Sequence, residues 1–119
     1  TYEIVVSGTT LPMSALRIDA LKHPNLPGGG PGRGDPVRTN FVLNEVTADV
    51  IQYSPETNIP QDLPIQKLKF QSASANYSQA KFPVSDAIDG KPKTGWAIGP
   101  QFDRDHHAVF QFSRPIQLT

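Results

Sequence analysis

The chain has 119 residues with eleven Lys and Arg against eleven Asp and Glu. Zero net charge argues against nucleic acid as a main partner, because phosphate binding needs a clustered basic excess, and against a polybasic membrane anchor. No cysteine is present, which excludes disulfides and thiolate metal sites while leaving the compartment open.

Twelve prolines and nine glycines favour short strands joined by turns over long helices. No apolar run approaches the length of a membrane-crossing helix. The length suits one domain covering residues 1–119. The chain opens on Thr1 and ends on Thr119, so a processed chain or a piece of a longer one is expected.

In chain order, Tyr2-Glu3-Ile4-Val5-Val6 is a β-branched run that predicts a strand ended by Ser7-Gly8. Leu16-Arg17-Ile18-Asp19-Ala20 alternates with period two, placing Leu16, Ile18 and Ala20 on one face of a half-buried strand. Residues 23–38 hold prolines and glycines that rule out a regular helix or central strand, so a surface loop is expected. Residues 40–50 read as one long strand with a bulge or bend near Asn44-Glu45. Residues 52–64 read as a polar, Pro-rich connector between the two halves.

Residues 65–70 predict a further strand with Leu68 and Phe70 on one face. Residues 72–82 are small and polar. Val84 to Gly90 predicts one helical turn with Val84, Ala87 and Ile88 inward and Gly90 as the stop. Thr94-Gly95-Trp96-Ala97 is short and extended. Ala108-Val109-Phe110-Gln111-Phe112 is the last strand, with Ala108, Phe110 and Phe112 on one face. Five or six short strands without a long helix predict an all-β jelly-roll β-sandwich.

The order Ala75-Asn76-Tyr77-Ser78, Ala87-Ile88-Asp89-Gly90, Thr94-Gly95-Trp96-Ala97 and His107 to Phe112 resembles the core of discoidin, or coagulation-factor type C, domains. The resemblance implies a galactose-binding-like jelly roll. The first half adds Ser14 to Leu21, Leu26 to Arg33 and Asn40 to Val46. Followed by the Asn-Tyr-Ser to Thr-Gly-Trp-Ala segment at 76–97, it is similar to a stretch of large planctomycete and related bacterial secreted proteins. Such proteins often carry cytochrome c-like domains, but the chain has no haem-attachment motif. In that family further strands follow the last one named here, so the sandwich is expected to be incomplete at its C-terminus, with an open edge.

The resemblance implies an extracytoplasmic binding module for carbohydrate or another envelope ligand. Ligand contacts are then expected from the loops at 28–38 and 101–107, through Arg33, Asp35, Arg38, Arg104 and His106. It also implies a structural calcium ion near Asp89 and Thr94, since a tight turn supplies hard oxygen ligands; alternatively Asp89 caps its own turn. Trp96 is read as core rather than as a sugar platform. His106 and His107 are adjacent, so on a strand they face opposite ways and do not share one metal ion; of the two, His107 is the candidate for an inward orientation.

Arg33-Gly34-Asp35 is the tripeptide read by integrins, a three-residue match common by chance. Gly28 to Gly34 lacks the Gly-Lys-Ser/Thr ending of a phosphate loop. Glu3, Asp19, Glu45, Asp49 and Glu56 form no glycosidase-like pair in sequence. No nucleophile–base arrangement stands out, so a non-catalytic module is expected. The alternative is a structural or assembly module that packs against other domains or subunits.

Overall fold

The computed structural model describes residues 1–6, 12–53 and 60–117, with backbone alone for 52–53 and 60–65. The described chain is all-β: β1 (Met13–Ala20), β2 (Val42–Leu43), β3 (Asp49–Tyr53), β4 (Pro60–Lys67), β5 (Phe70–Ala75), β6 (Trp96–Ala97) and β7 (His106–Ile116). Two single 3₁₀ turns, Pro27–Gly29 and Val84–Ile88, are the helical elements among the described residues.

The frame is an antiparallel sheet in the order β1-β7-β5, with β7 hydrogen-bonded on both sides. Alternation in β7 decides its two faces: His106, Ala108, Phe110 and Phe112 are buried, while His107, Val109 and Gln111 are not. Register places Leu16 and Ala73 either side of Phe110, and Ile18 and Ala75 either side of Ala108. Small residues on β5 thus leave room for the large ring on β7. Phe70 and Ala73 are an odd number of positions apart, yet both pack on the core. The register shift between Phe70 and Ser72 turns Phe70 back to the inner face, where its ring stacks on Phe112 at 5.1 Å. On the outer face Arg17 and Asp19, two residues apart, form an ion pair of 2.7 Å.

The inner face is covered by Val84, Ala87, Trp96 and Ile98, with Phe41, Leu43, Val46, Tyr77 and Ile88 at the margin. Trp96 is 0 % exposed. Its indole N–H donates to Tyr77 O at 2.9 Å, and its ring meets Phe41 edge-on at 5.1 Å. Burying the indole without that acceptor would leave a donor unpaired in an apolar site. The preceding Gly95 is required by close packing: a Cβ there would lie 2.7 Å from Leu43 O across the β2–β6 ladder.

Several expectations hold. The period-two pattern of β1, the turn at Val84 stopped by Gly90 at φ 76°, the irregular loop at 23–38 and the buried Trp96 are as read from sequence. Others are corrected. Tyr2 to Val6 is not a strand and lies in the open, with Ile4 84 % exposed. The expected long strand at 40–50 is divided, because β2 pairs with β6 whereas β3 pairs with β4. Between them the Val46 N–H donates to Ala87 O, tying the chain to the 3₁₀ turn instead of to a strand.

The described residues of the expected connector at 52–64 are strand: β3 runs to Tyr53 and β4 begins at Pro60. The expected strand at 65–70 breaks at Leu68-Lys69, where the Leu68 N–H turns to Ala48 O and the Ser113 N–H reaches Lys69 O. β5 instead occupies the stretch read as small and polar, since its serines face outward. The Ser7-Gly8 stop, Glu56 and the last two residues lie outside the described residues.

Truncation of Trp96 tests this core. Trp96→Ala is expected to cost about 3–5 kcal/mol, a large part of the ~5–15 kcal/mol typical of a domain. Leu21→Ala, at a side chain 58 % exposed, should change stability by less than about 0.5 kcal/mol. Urea unfolding followed by circular dichroism measures both; equal, small effects would contradict the buried role of the indole.

Candidate functional site

The loop after β1 and the loop before β7 meet at one end of the three-stranded sheet. Polar side chains bind them together. Asn40 Oδ1 accepts from the N–H groups of Phe41 and Ile98, each at 3.0 Å. Its amide donates at 2.8 Å to Gln79 Oε1, which also accepts from the Gly99 N–H at 2.9 Å. Tyr77 OH donates to Gly99 O at 3.2 Å. Ile98 and Gly99 are buried, so these side chains supply the partners that no strand gives their backbone.

A second knot lies beside the first. The Gly32 N–H donates to Thr39 O at 2.9 Å, and the Asp103 N–H reaches the Thr39 hydroxyl at 3.4 Å. Thr39 is 2 % exposed. Gly32 is held by close approach: a Cβ there would fall on the Asn40 carbonyl. Lys22 closes the arrangement, its ammonium on Asp103 Oδ1 at 2.5 Å and its N–H on Asp105 Oδ1 at 2.8 Å.

Gly32, Thr39 and Asp103 are the immediate neighbours of Arg33, Arg38 and Arg104. Three exposed arginines, two from the 21–41 loop and one from the 98–105 loop, therefore leave the backbone beside these linked residues. Asp35 lies on the same loop, but its Oδ1 accepts from the N–H groups of Val37 and Arg38 at 2.8 and 3.2 Å. Those two bonds, Val37 first, hold its carboxyl below the ordinary carboxylate value. Asp35 is thus the acceptor of its own turn. Tyr2, 78 % exposed, lies with its ring 5.7 Å from the Arg33 guanidinium carbon.

His106 does not belong with the exposed residues. It is 2 % exposed, and it is the inward member of the His106-His107 pair, the reverse of the expected orientation. Its ring bridges two segments: Nε2 is 2.7 Å from Gln101 O and Nδ1 is 3.3 Å from Asn76 Nδ2. Asn76 Oδ1 already accepts from the His107 N–H, so its amide faces the imidazole as donor. Nδ1 is then the acceptor, and the neutral ring carries its proton on Nε2, donated to Gln101 O. His106 braces the loop from inside and offers no nitrogen to a ligand.

At the turn after Val84–Ile88, Asp89 Oδ1 accepts from the Lys91 N–H at 2.8 Å and Oδ2 from the Thr94 hydroxyl at 2.5 Å. Asp86 O and Lys91 O lie 3.4 and 3.2 Å from the same hydroxyl, which has one proton to give. Asp89 and Thr94 therefore do meet. The four oxygens gathered there are fewer than the six to eight that calcium takes, and no group of three or more His, Asp or Glu side chains forms a metal cluster among the described residues. The Gly90 N–H adds bonds to both carboxylate oxygens of Glu45, each at 3.2 Å.

Two open concavities of about 410 and 500 Å³ lie elsewhere, both against Lys67 to Lys69: one beside Ser113 to Ile116, the other beside Glu45 to Asp49 and Ile88 to Gly90. Of the candidate carboxylates singled out in the sequence, Asp89, Glu45 and Asp49 line the second; Arg33, Arg38 and Arg104 line neither. Asp103 lies in the loop expected at 101–107, but Tyr2, Lys22, Thr39, Asn40 and Gln79 were not signalled as site residues by the sequence, because the partners that place them are distant in the chain.

The pH dependence of the Asp89 turn can be measured. The Thr94 hydroxyl above all holds the Asp89 carboxyl below the ordinary carboxylate value; desolvation opposes it, and the Lys91 N–H adds a smaller lowering effect. A depressed folded-state value stabilises the fold at pH above the unfolded value and stops doing so as pH falls through the folded one. The melting-temperature advantage of the native chain over Asp89→Asn is therefore expected to be complete above about pH 5 and to shrink below about pH 4. Calorimetry across that range reads it, and a constant difference would remove the carboxylate from the account.

Comparison with protein-family models, with curated proteins and with solved structures returned no match.

Proposed function

We propose that this chain is a non-catalytic binding module, a discoidin-like jelly-roll sandwich from a larger extracytoplasmic bacterial protein of the planctomycete type, and that it holds a carbohydrate at its loop end. The observation that carries this reading is the meeting of the 21–41 and 98–105 loops. Half-buried Asn40 and Gln79 and buried Thr39 fix the loop backbones before any ligand arrives, while Arg33, Arg38, Arg104 and Tyr2 stay exposed. A fixed scaffold under exposed groups lowers the ordering cost of binding. The aromatic plane in this reading is Tyr2, since Trp96 lies in the core.

The sequence resemblance supplies the fold family. The antiparallel sheet, with its inner face covered by β6 and the Val84–Ile88 turn, is compatible with a sandwich.

Affinity-gel or glycan-array screening of the folded chain tests the reading. At least one glycan should be retained, and Tyr2→Ala with Arg38→Ala should weaken that retention by about tenfold, or 1.4 kcal/mol. Uniform absence of binding by protein that melts cooperatively would overturn it.

Calcium at the Asp89 turn forms part of the same proposal. Asp89 Oδ2, Thr94 Oγ1, Asp86 O and Lys91 O would supply the protein ligands and water the remainder, and the ion would fix the turn beneath β6. Calcium is then expected to raise the melting temperature of the native chain and not that of Asp89→Asn. No rise in either would leave the turn closed by hydrogen bonds alone.

A further inference from the structure

We infer that the loop end selects an anionic saccharide, one bearing carboxylate or sulfate groups, over a neutral one. The inference rests on the glycan-binding reading above and narrows its ligand class. The end is close to charge balance, with Lys22, Arg33, Arg38 and Arg104 against Asp35, Asp103 and Asp105. The two signs differ in what they are already doing.

Each carboxylate is engaged within the loops: Asp103 with the Lys22 ammonium, Asp105 with the Lys22 N–H, and Asp35 with the N–H groups of Val37 and Arg38. The neutral acceptors are engaged too, since Asn40 Oδ1 and Gln79 Oε1 each take two donors. By contrast, Arg33, Arg38 and Arg104 have no carboxylate within ion-pair distance among the described residues, although the Arg38 charge acts through space on Asp35.

A neutral sugar presents hydroxyls and is held best where free acceptors meet them. Here the carboxylates are tied into the loops through Oδ1, whereas the three guanidinium groups keep their donors outside any ion pair among the described residues. Each guanidinium offers a planar fork that fits two oxygens of a carboxylate or sulfate. The three leave the chain beside Gly32, Thr39 and Asp103, which hydrogen bonds hold together. The Arg33 guanidinium lies over the Tyr2 ring, so an anionic group and a sugar face can be met side by side. With charges nearly balanced, selectivity comes from paired hydrogen bonds at short range more than from a long-range field.

Affinity electrophoresis with two matched pairs separates the possibilities: polygalacturonate against neutral galactan, and dextran sulfate against dextran. Variants are Arg33→Ala/Arg38→Ala/Arg104→Ala and, as a charge control on a distant turn, Lys91→Ala/Lys93→Ala, each checked by thermal melting. At least one anionic polymer should be bound about tenfold more tightly than its neutral partner. The arginine variant should lose that margin, and the lysine variant should keep it. Which polymer is retained tells carboxylate from sulfate.

Equal binding of neutral and charged polymers would overturn the inference and leave the glycan reading standing. An equal loss in both variants would also overturn it, because net charge and not this site would then be responsible. If the folded native chain binds none of the four, and the wider glycan screen is also empty, both fall.

Discussion

Everything described in this chain depends on covering the inner face of β7. That strand is paired on both sides, so its backbone is satisfied, but Ala108, Phe110 and Phe112 need apolar neighbours that β1 and β5 cannot supply. Trp96 fills that requirement. Its ring lies in the core with Ala108 and Phe110, and its one polar atom is matched by Tyr77 O. Because the indole must sit there, β6 must pass close to β2, and Gly95 is the residue that lets the two backbones approach. The Val84–Ile88 turn completes the cover with Val84 and Ala87.

The loop end follows from the same placement. Immediately after Trp96 and Ala97 the chain is still buried at Ile98 and Gly99 but no longer paired as strand. Buried amides without partners are costly, and Asn40 and Gln79 supply the missing acceptors. Those side chains come from the long loop and from the segment after β5, so satisfying two amides also fixes where the loops sit. The arginines that carry the proposed function are thus positioned by a requirement of the core.

The candidate site was legible in part. The loops at 28–38 and 101–107 stand out by their proline, glycine and charge, and Arg33, Arg38 and Arg104 are exposed there as expected. His106 was misjudged because a histidine beside a charged run reads as surface. Strand alternation is fixed only once β7 is known to start at His106, which places that residue with Ala108 and Phe110. Tyr2 was misjudged for the opposite reason. A β-branched run reads as strand, but a strand needs a partner edge, and propensity alone does not provide one.

The sequence by itself determined the local features: the two faces of β1 and β7, the turn ended by Gly90, the irregular loop and the identity of Trp96 as core. These depend on period, on glycine and on the size of a side chain, all of which are properties of neighbouring residues. The tertiary structure alone decided the rest. It split 40–50 between two ladders, made a strand of 60–67, turned His106 inward and brought Gly32, Thr39 and Asp103 together. Each of those outcomes rests on hydrogen bonds or burial between residues distant in the chain, and such partners leave no periodic trace in sequence.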